Sequence, residues 1–210
     1  ASASGHDGPF FAGLLSILRA SPDYRWFLVS RFIGSFSLMA TAFYTVAALE
    51  RFGLPASTAG GFGAVLLLGR SAGSVGAGKF GDMFGFKPVA VLVPALDVVA
   101  VVLALWAPSV AWYYAVFAIF GVRCACDMVG NHNLMIEFCP VMDKTTFIAL
   151  GSTIICPAIV LAPSIGGLLA TFHPARYNAV FVVSLVSSVV ALAVIIARVR
   201  EPRRVALGWG

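Results

Sequence analysis

Residues 89–107 read VAVLVPALDVVAVVLALWA, a run that holds a single charge, Asp97. A helix of about 20 such residues crosses the hydrocarbon core of a bilayer, where every backbone group must find its hydrogen bond within the segment. The run belongs to a series of six, at 26–49, 56–78, 88–107, 110–136, 145–171 and 176–198. The connectors between them, ERFGLPAS, KFGDMFGFKP, APS, FCPVMDK and TFHPAR, are short and carry turn residues. The pattern predicts an all-α polytopic membrane protein of six transmembrane helices. Composition points the same way: 60% of the residues are hydrophobic and 11% charged, where soluble domains carry about 25% charged residues. A soluble core could not hide that much apolar surface, so the solvent must be lipid.

The ends are more polar. Residues 1–24 read as a cytoplasmic leader or a linker, with FFAGLLSILRASPDYR as a short interfacial helix that stops near Pro22. The opening ASASGHDGPFF has neither a basic n-region nor a small-residue cleavage site, so it does not read as a signal peptide. Residues 25–200 form the six-helix domain, and 201–210 a basic tail. Placing the leader inside puts Arg19, Arg25, Lys79, Lys87, Lys144, Arg198, Arg200, Arg203 and Arg204 on the cytoplasmic side, with only Arg51 and Arg176 outside. The positive-inside rule therefore predicts cytoplasmic termini in a plasma (cytoplasmic) membrane. The same basic residues are scattered at helix ends and not gathered in a stripe, which argues against a nucleic-acid partner.

Several chemistries fail on their own requirements. The stretch GSVGAGKFGDMFGFK, residues 73–87, matches a phosphate loop up to Lys79, but Phe80 stands where a Ser or Thr must hold magnesium. It also contains G-x-G-x-x-G at Gly76, Gly78 and Gly81, without the strand and soluble βα unit that motif needs. Cys124, Cys126, Cys139 and Cys156 lie in or beside apolar runs, and the C-x-C pair Cys124 and Cys126 reads as small buried residues; a metal site would need more Cys or His at ligand spacing. H-E-x-x-H and G-x-S-x-G are both absent. No enzyme, metal or cofactor is expected.

Charge within the spans is the main functional signal. Arg70, Asp97, Arg123 and Asp127 sit well inside apolar stretches, at a cost of about 2.5 kcal/mol or more each if left facing lipid. Arg123 and Asp127 are four residues apart, so they share a helix face, and Asn131 continues it. That face reads either as a substrate- or proton-handling stripe or as a helix-packing salt bridge. His132 lies beside it near the headgroups. Arg70 is expected to reach Asp127 or Asp97, or to snorkel. Asp97 reads as a structural partner for a basic residue.

Gly78, Asp82, Gly85 and Lys87 spell G-x-x-x-D-x-x-G-x-[KR] in the turn between the second and third spans. This resembles the signature loop of the major facilitator superfamily. LAPSIGGLLA, residues 161–170, looks like that family's Pro-x-x-Gly-Gly element, with Pro157 and Pro163 bending the fifth span and Gly166 and Gly167 allowing close packing. NLMIEFCPVMDKTTFIALGSTI resembles the link between the tenth and eleventh family helices, and SPDYRWFLVSRFI the entry to the seventh. Met83 and Phe86 replace residues that are usually basic in the signature loop, which points to the second-half copy. ALERFGLPASTAG and MIEFCPVMDKTTF echo each other across the two halves of the chain, as a 3+3 inverted repeat would.

The resemblance implies a C-terminal six-helix half of a secondary transporter that moves a small-molecule substrate by alternating access. It implies a partnering N-terminal six-helix half from the same polypeptide, a separate subunit or a second copy. Asp82 would act at a gating loop with Gly78, Gly85 and Lys87, facing the positive end of a neighbouring helix. The substrate or proton pathway would run past Arg70, Arg123, Asp127 and Asn131. Within it Arg123 would meet an anionic substrate group and Asp127 would couple protons. A non-transporting scaffold or an intramembrane enzyme is the alternative, and the discriminator is whether Arg123 and Asp127 face a wet cavity.

Overall fold

The computed structural model describes residues 21–138, 144–172 and 177–202 of the chain. Nearly all of them are helical: α1 (Pro22–Ser35), α2 (Leu38–Phe52), α3 (Thr58–Phe84), α4 (Phe86–Trp106), α5 (Val110–Cys126), a π-helical turn (Asp127–Asn131), α6 (His132–Glu137), α7 (Lys144–Phe172) and α8 (Tyr177–Arg198). The leader before residue 21, the FCPVMDK connector from 139 to 143, the outer turn at 173–176 and the tail from 203 lie outside the described residues.

Five segments are long and apolar enough to cross a membrane: Pro22–Phe52, Phe86–Trp106, Val110–Glu137, Ile148–Thr171 and Tyr177–Arg198. The first joins α1 and α2 through Phe36 and Ser37, which stay in the right-handed helical region. There the Phe36 and Ser37 amides bond carbonyls three residues back, tightening the turn. The expected second span is α3. Its 27 residues reach about 40 Å, enough to cross. Eight glycines together with Arg70, Lys79 and Asp82 dilute its apolar character below that of the other five.

The predicted loop between the second and third spans shrinks to one residue. The helix runs on through Gly78 and Asp82 to Phe84, and α4 begins at Phe86. Gly85 alone makes the turn at φ +88, a conformation that L side chains rarely adopt. The side chain of Glu201 closes over it, leaving no room for a Cβ. The Glu201 carboxylate, not that of Asp82, accepts the Lys87 amide at 3.2 Å at the start of α4, where the helix dipole favours negative charge.

Two ties bring the start of α1 and the exit of α8 to this side of the bundle. The Arg200 amide donates to Asp23 at 3.0 Å, beside the Glu201 contact just described. At the opposite end the Arg51 guanidinium donates to the Leu105 carbonyl at 3.3 Å, joining the ends of α2 and α4. The start of α1, the α3–α4 turn and the exit of α8 therefore share one face of the bundle.

Side chains pack into two main apolar clusters. One gathers Tyr24, Phe27, Val89, Cys126, Leu134 and Ile195. The other gathers Tyr44, Phe62, Val101, Tyr113, Phe117 and Phe181, with Tyr44 and Phe181 stacked at 5.6 Å. The longest helix–helix seam joins α3 to α5, and small residues make it possible. A Cβ on Gly121 would fall on the α3 backbone, 2.8 Å from the Arg70 nitrogen, and one on Gly73 would lie 2.9 Å from the Val122 Cα.

The helix-packing residues of the fifth span divide. Gly166 meets Met39 and Phe43 at 3.1–3.2 Å from a would-be Cβ, as close packing requires, whereas Gly167 has nothing within 4 Å. Pro157 and Pro163 lie inside a continuous α7 and are exposed. Gly78 likewise has nothing within 4 Å of a would-be Cβ, so its lack of a side chain serves no contact among the described residues. Of the cysteines, Cys126 is buried, Cys124 half-buried and Cys156 exposed. The C-x-C pair is therefore buried at Cys126 and partly so at Cys124, and Cys156 stands on a cavity wall; Cys139 lies outside the described residues.

Candidate functional site

Between the two apolar clusters α1, α4 and α5 each bring charge to one layer. Arg123 of α5 donates through Nε to both carboxylate oxygens of Asp97 on α4, at 3.1 and 3.2 Å, and Ser37 donates to Asp97 at 2.8 Å. The Arg123 Nη1 reaches back to Asp127 at 3.3 Å. Asp127 also accepts a short charged hydrogen bond from Arg31 of α1, and another from the Asn131 amide. The order across the layer is therefore Ser37, Asp97, Arg123, Asp127, Arg31. Two guanidinium groups and two carboxylates alternate, so each charge in the apolar interior is opposed by a neighbour.

The layer has a dry end and a wet end. Asp97 and Arg123 are 4% and 7% exposed. Asp127 retains 33% of its side-chain exposure and Arg31 18%. The difference follows from the π-helical turn that begins at Asp127. Its wider ring carries one extra residue per turn, and it inserts Gly130 against α4, where a Cβ would lie 2.8–3.0 Å from Val89 and the Ala90 nitrogen. Asn131 ends the turn buried, at 3% exposure.

Two cavities flank this layer. A small one of about 50 Å³ is lined by Arg31, Asp97, Arg123, Asp127 and Asn131, room for a few waters. A larger one of about 310 Å³ shares Arg31, Asn131 and Ile159 with it and adds His132, Ser152 and Cys156. Two fully buried polar atoms of the shared residues, Arg31 Nε and Asn131 Oδ1, have no hydrogen-bond partner among the described residues.

Most of the expected pathway residues meet here. Arg123, Asp127 and Asn131 lie together as their i, i+4 spacing requires, and Asp97 is the structural partner of a basic residue. Arg123, expected to meet an anionic substrate group, already has two carboxylates against it. Arg70 is not brought into the layer. It lies on the exposed side of α3, with Met128 Sδ 3.3 Å from its Nη2. Asp82 and Lys87 lie far along the bundle at the α3–α4 turn. Asp82 is exposed on the last turn of α3. Arg31 and Ser37 were missed. Arg31 was visible as a charge inside a span, but its partner is 96 positions away. Among the described residues no group of three or more His, Cys, Asp or Glu is placed to hold a metal.

The sequence matches the family model described as Major Facilitator Superfamily over residues 27–208. No curated protein and no solved structure matches the chain.

Proposed function

We infer that this chain, which belongs to the Major Facilitator Superfamily and is thus a membrane transporter of the major facilitator type, forms a six-helix half-domain that moves a small solute by alternating access. In this reading α3 is the sixth span, and the two groups of three spans stand as an inverted repeat. The substrate path passes the wet end of the charged layer, at Asp127, Arg31 and Asn131. The observation that carries the reading is the partial exposure of Asp127, which lines a cavity of about 50 Å³ that shares Arg31, Asn131 and Ile159 with one of about 310 Å³. A scaffold would gain nothing from a half-open ion pair at membrane depth, where desolvated charge is costly. The buried Asp97–Arg123 pair alone would suit a scaffold equally well.

Asp127 is the group placed to couple ions, because it shares its charge between two guanidinium groups on different helices and can exchange one for the other. Asp82, Gly85 and Lys87 at the α3–α4 turn are assigned to gating. The partnering half packs against the outer faces of the bundle.

Accessibility tests this directly. The assembled transporter, with every cysteine other than Cys156 replaced by Ala, Cys124, Cys126 and Cys139 among them, is placed in proteoliposomes so that Cys156 on the cavity wall is the sole thiol. An impermeant maleimide is expected to reach Cys156 from each membrane face, with Asp127→Asn shifting the balance between the two. Reaction from one face only, unchanged in Asp127→Asn, would mean a static bundle and the end of the transporter mechanism.

A further inference from the structure

Unlike charges also share a cavity at the opposite end of the bundle from the α3–α4 turn, where α2 and α4 finish and α8 begins. The cavity holds about 410 Å³, within the range of small-molecule sites. It has no lining residue in common with the two cavities at the charged layer. Ala47, Glu50 and Arg51 line it from α2, at a spacing that puts them on one helix face. Ala47 is buried, so that face turns toward the bundle. Tyr177 and Phe181, one turn apart on α8, form another wall together with the exposed Asn178.

Glu50 and Arg51 are both exposed, yet they do not pair. The Arg51 guanidinium donates to the Leu105 carbonyl at the end of α4, where the helix dipole favours a cation. Among the described residues Glu50 has neither a hydrogen bond nor an ion pair. It stands in the last turn of α2, where the dipole disfavours a carboxylate. A free cation entering the cavity would meet Arg51, and a free anion would meet Glu50. A molecule that carries both charges avoids either conflict. Depth adds a second constraint. Trp106 and Trp112 are exposed at this end, as aromatic residues are at the level of the lipid headgroups.

We propose that this cavity binds a zwitterion, with its ammonium group at Glu50 and its anionic group at Arg51. The phosphoethanolamine headgroup of a phospholipid and a free zwitterionic solute share that chemistry. The site stands apart from the charged layer, and its ligand is independent of the solute transported.

Asn178 supplies a reporter position on the cavity wall. The assembled transporter, with every native cysteine replaced by Ala and Asn178→Cys as the sole thiol, is placed in vesicles of phosphatidylglycerol. Its alkylation by N-ethylmaleimide is then timed. Glycerophosphoethanolamine is expected to slow the reaction about fivefold at about four times its Kd, by simple mass action. Glycerol 3-phosphate and ethanolamine each carry one of the two charges and should leave the rate unchanged at the same concentration. Glu50→Gln and Arg51→Gln should each abolish the effect. Glu50 has no partner to lose among the described residues, so Glu50→Gln should keep the parent's unfolding midpoint. Vesicles that also contain phosphatidylethanolamine separate the two sources. Slow alkylation there without added compound, relieved by Glu50→Gln, assigns the site to the lipid headgroup. Protection by the added compound alone assigns it to a soluble zwitterion. Absence of protection by either compound or lipid overturns the proposal, as does protection that survives Glu50→Gln. Equal protection by glycerol 3-phosphate or ethanolamine also overturns it, since one charge would then suffice.

Discussion

Asp97 and Asp127 are carboxylates in the same charged layer, yet their surroundings assign them different work. Asp97 is buried and is held by Arg123 and Ser37. Removing one partner of a buried ion pair costs about 3–5 kcal/mol, and losing Asp97 would leave Arg123 only its longer contact to the partly exposed Asp127. Asp97→Asn should therefore lower the midpoint of thermal unfolding in detergent strongly, and most of the protein should aggregate on size-exclusion chromatography after mild heating. Asp127→Asn keeps the Asp97–Arg123 pair, leaves an amide in a partly wet site and should unfold close to the parent while uptake is impaired. Equal thermal losses in the two variants would erase the distinction between a dry structural pair and a working one. At this scale the sequence showed the pair that lies within one helix, because i, i+4 spacing is a property of the helix alone. It could not show that Arg31 closes on Asp127, since that contact depends on how α1 lies against α5. Arg123 also read as free for an anion until α4 brought Asp97 to it.

Helices were legible from apolar length, and their irregularities were not. The α5–α6 span read as one continuous run, with nothing in DMVGN to announce a π-helical turn. The turn exists because of its setting, where Gly130 fits against the α4 backbone and Asp127 points to Arg31. The α3–α4 turn is the reverse case. Gly85 was recognised as a turn residue, but several neighbours were assigned to a loop that the helices absorb. A second irregularity, the close α3–α5 seam, makes a sharp prediction about glycines that look alike in sequence. Gly121→Ala places a methyl against the α3 backbone, and overpacking of this kind costs about 1–3 kcal/mol. Gly76→Ala, on the same pair of helices, meets nothing within 4 Å and should stabilise its helix by about 1 kcal/mol. Unfolding midpoints of the two variants should move in opposite directions. A common direction would show that the seam is looser than it stands here.

For the whole molecule, two readings made from charge and length come together at the bundle's surface. Asp23, Gly85, Lys87, Arg200 and Glu201 meet at one end, so the start of α1, the exit of α8 and the α3–α4 turn share a side of the membrane whichever side it is. The positive-inside bias predicts that side to be cytoplasmic, and impermeant labelling of the exposed Met83→Cys from inside only is the expected result. The lateral surface carries a sharper constraint. Along α3, Gly63, Leu67 and Arg70 are exposed on one face, and Arg70 stands near the middle of the helix, beyond easy reach of either headgroup layer. A guanidinium that faces hydrocarbon is not tolerated at that depth, and the small residues around it suit close helix approach. This face should therefore meet protein, and the partner expected is the other six-helix half. A spin label at Gly63→Cys, two turns from Arg70 on the same face, reports the difference. In the assembled transporter it should be poorly accessible to oxygen dissolved in the bilayer, and Arg70→Leu should leave the isolated six helices folded while weakening their association with the other half. High oxygen accessibility at Gly63 in the assembled protein would place this face of α3 against lipid, and the partner would then have to be sought on another face.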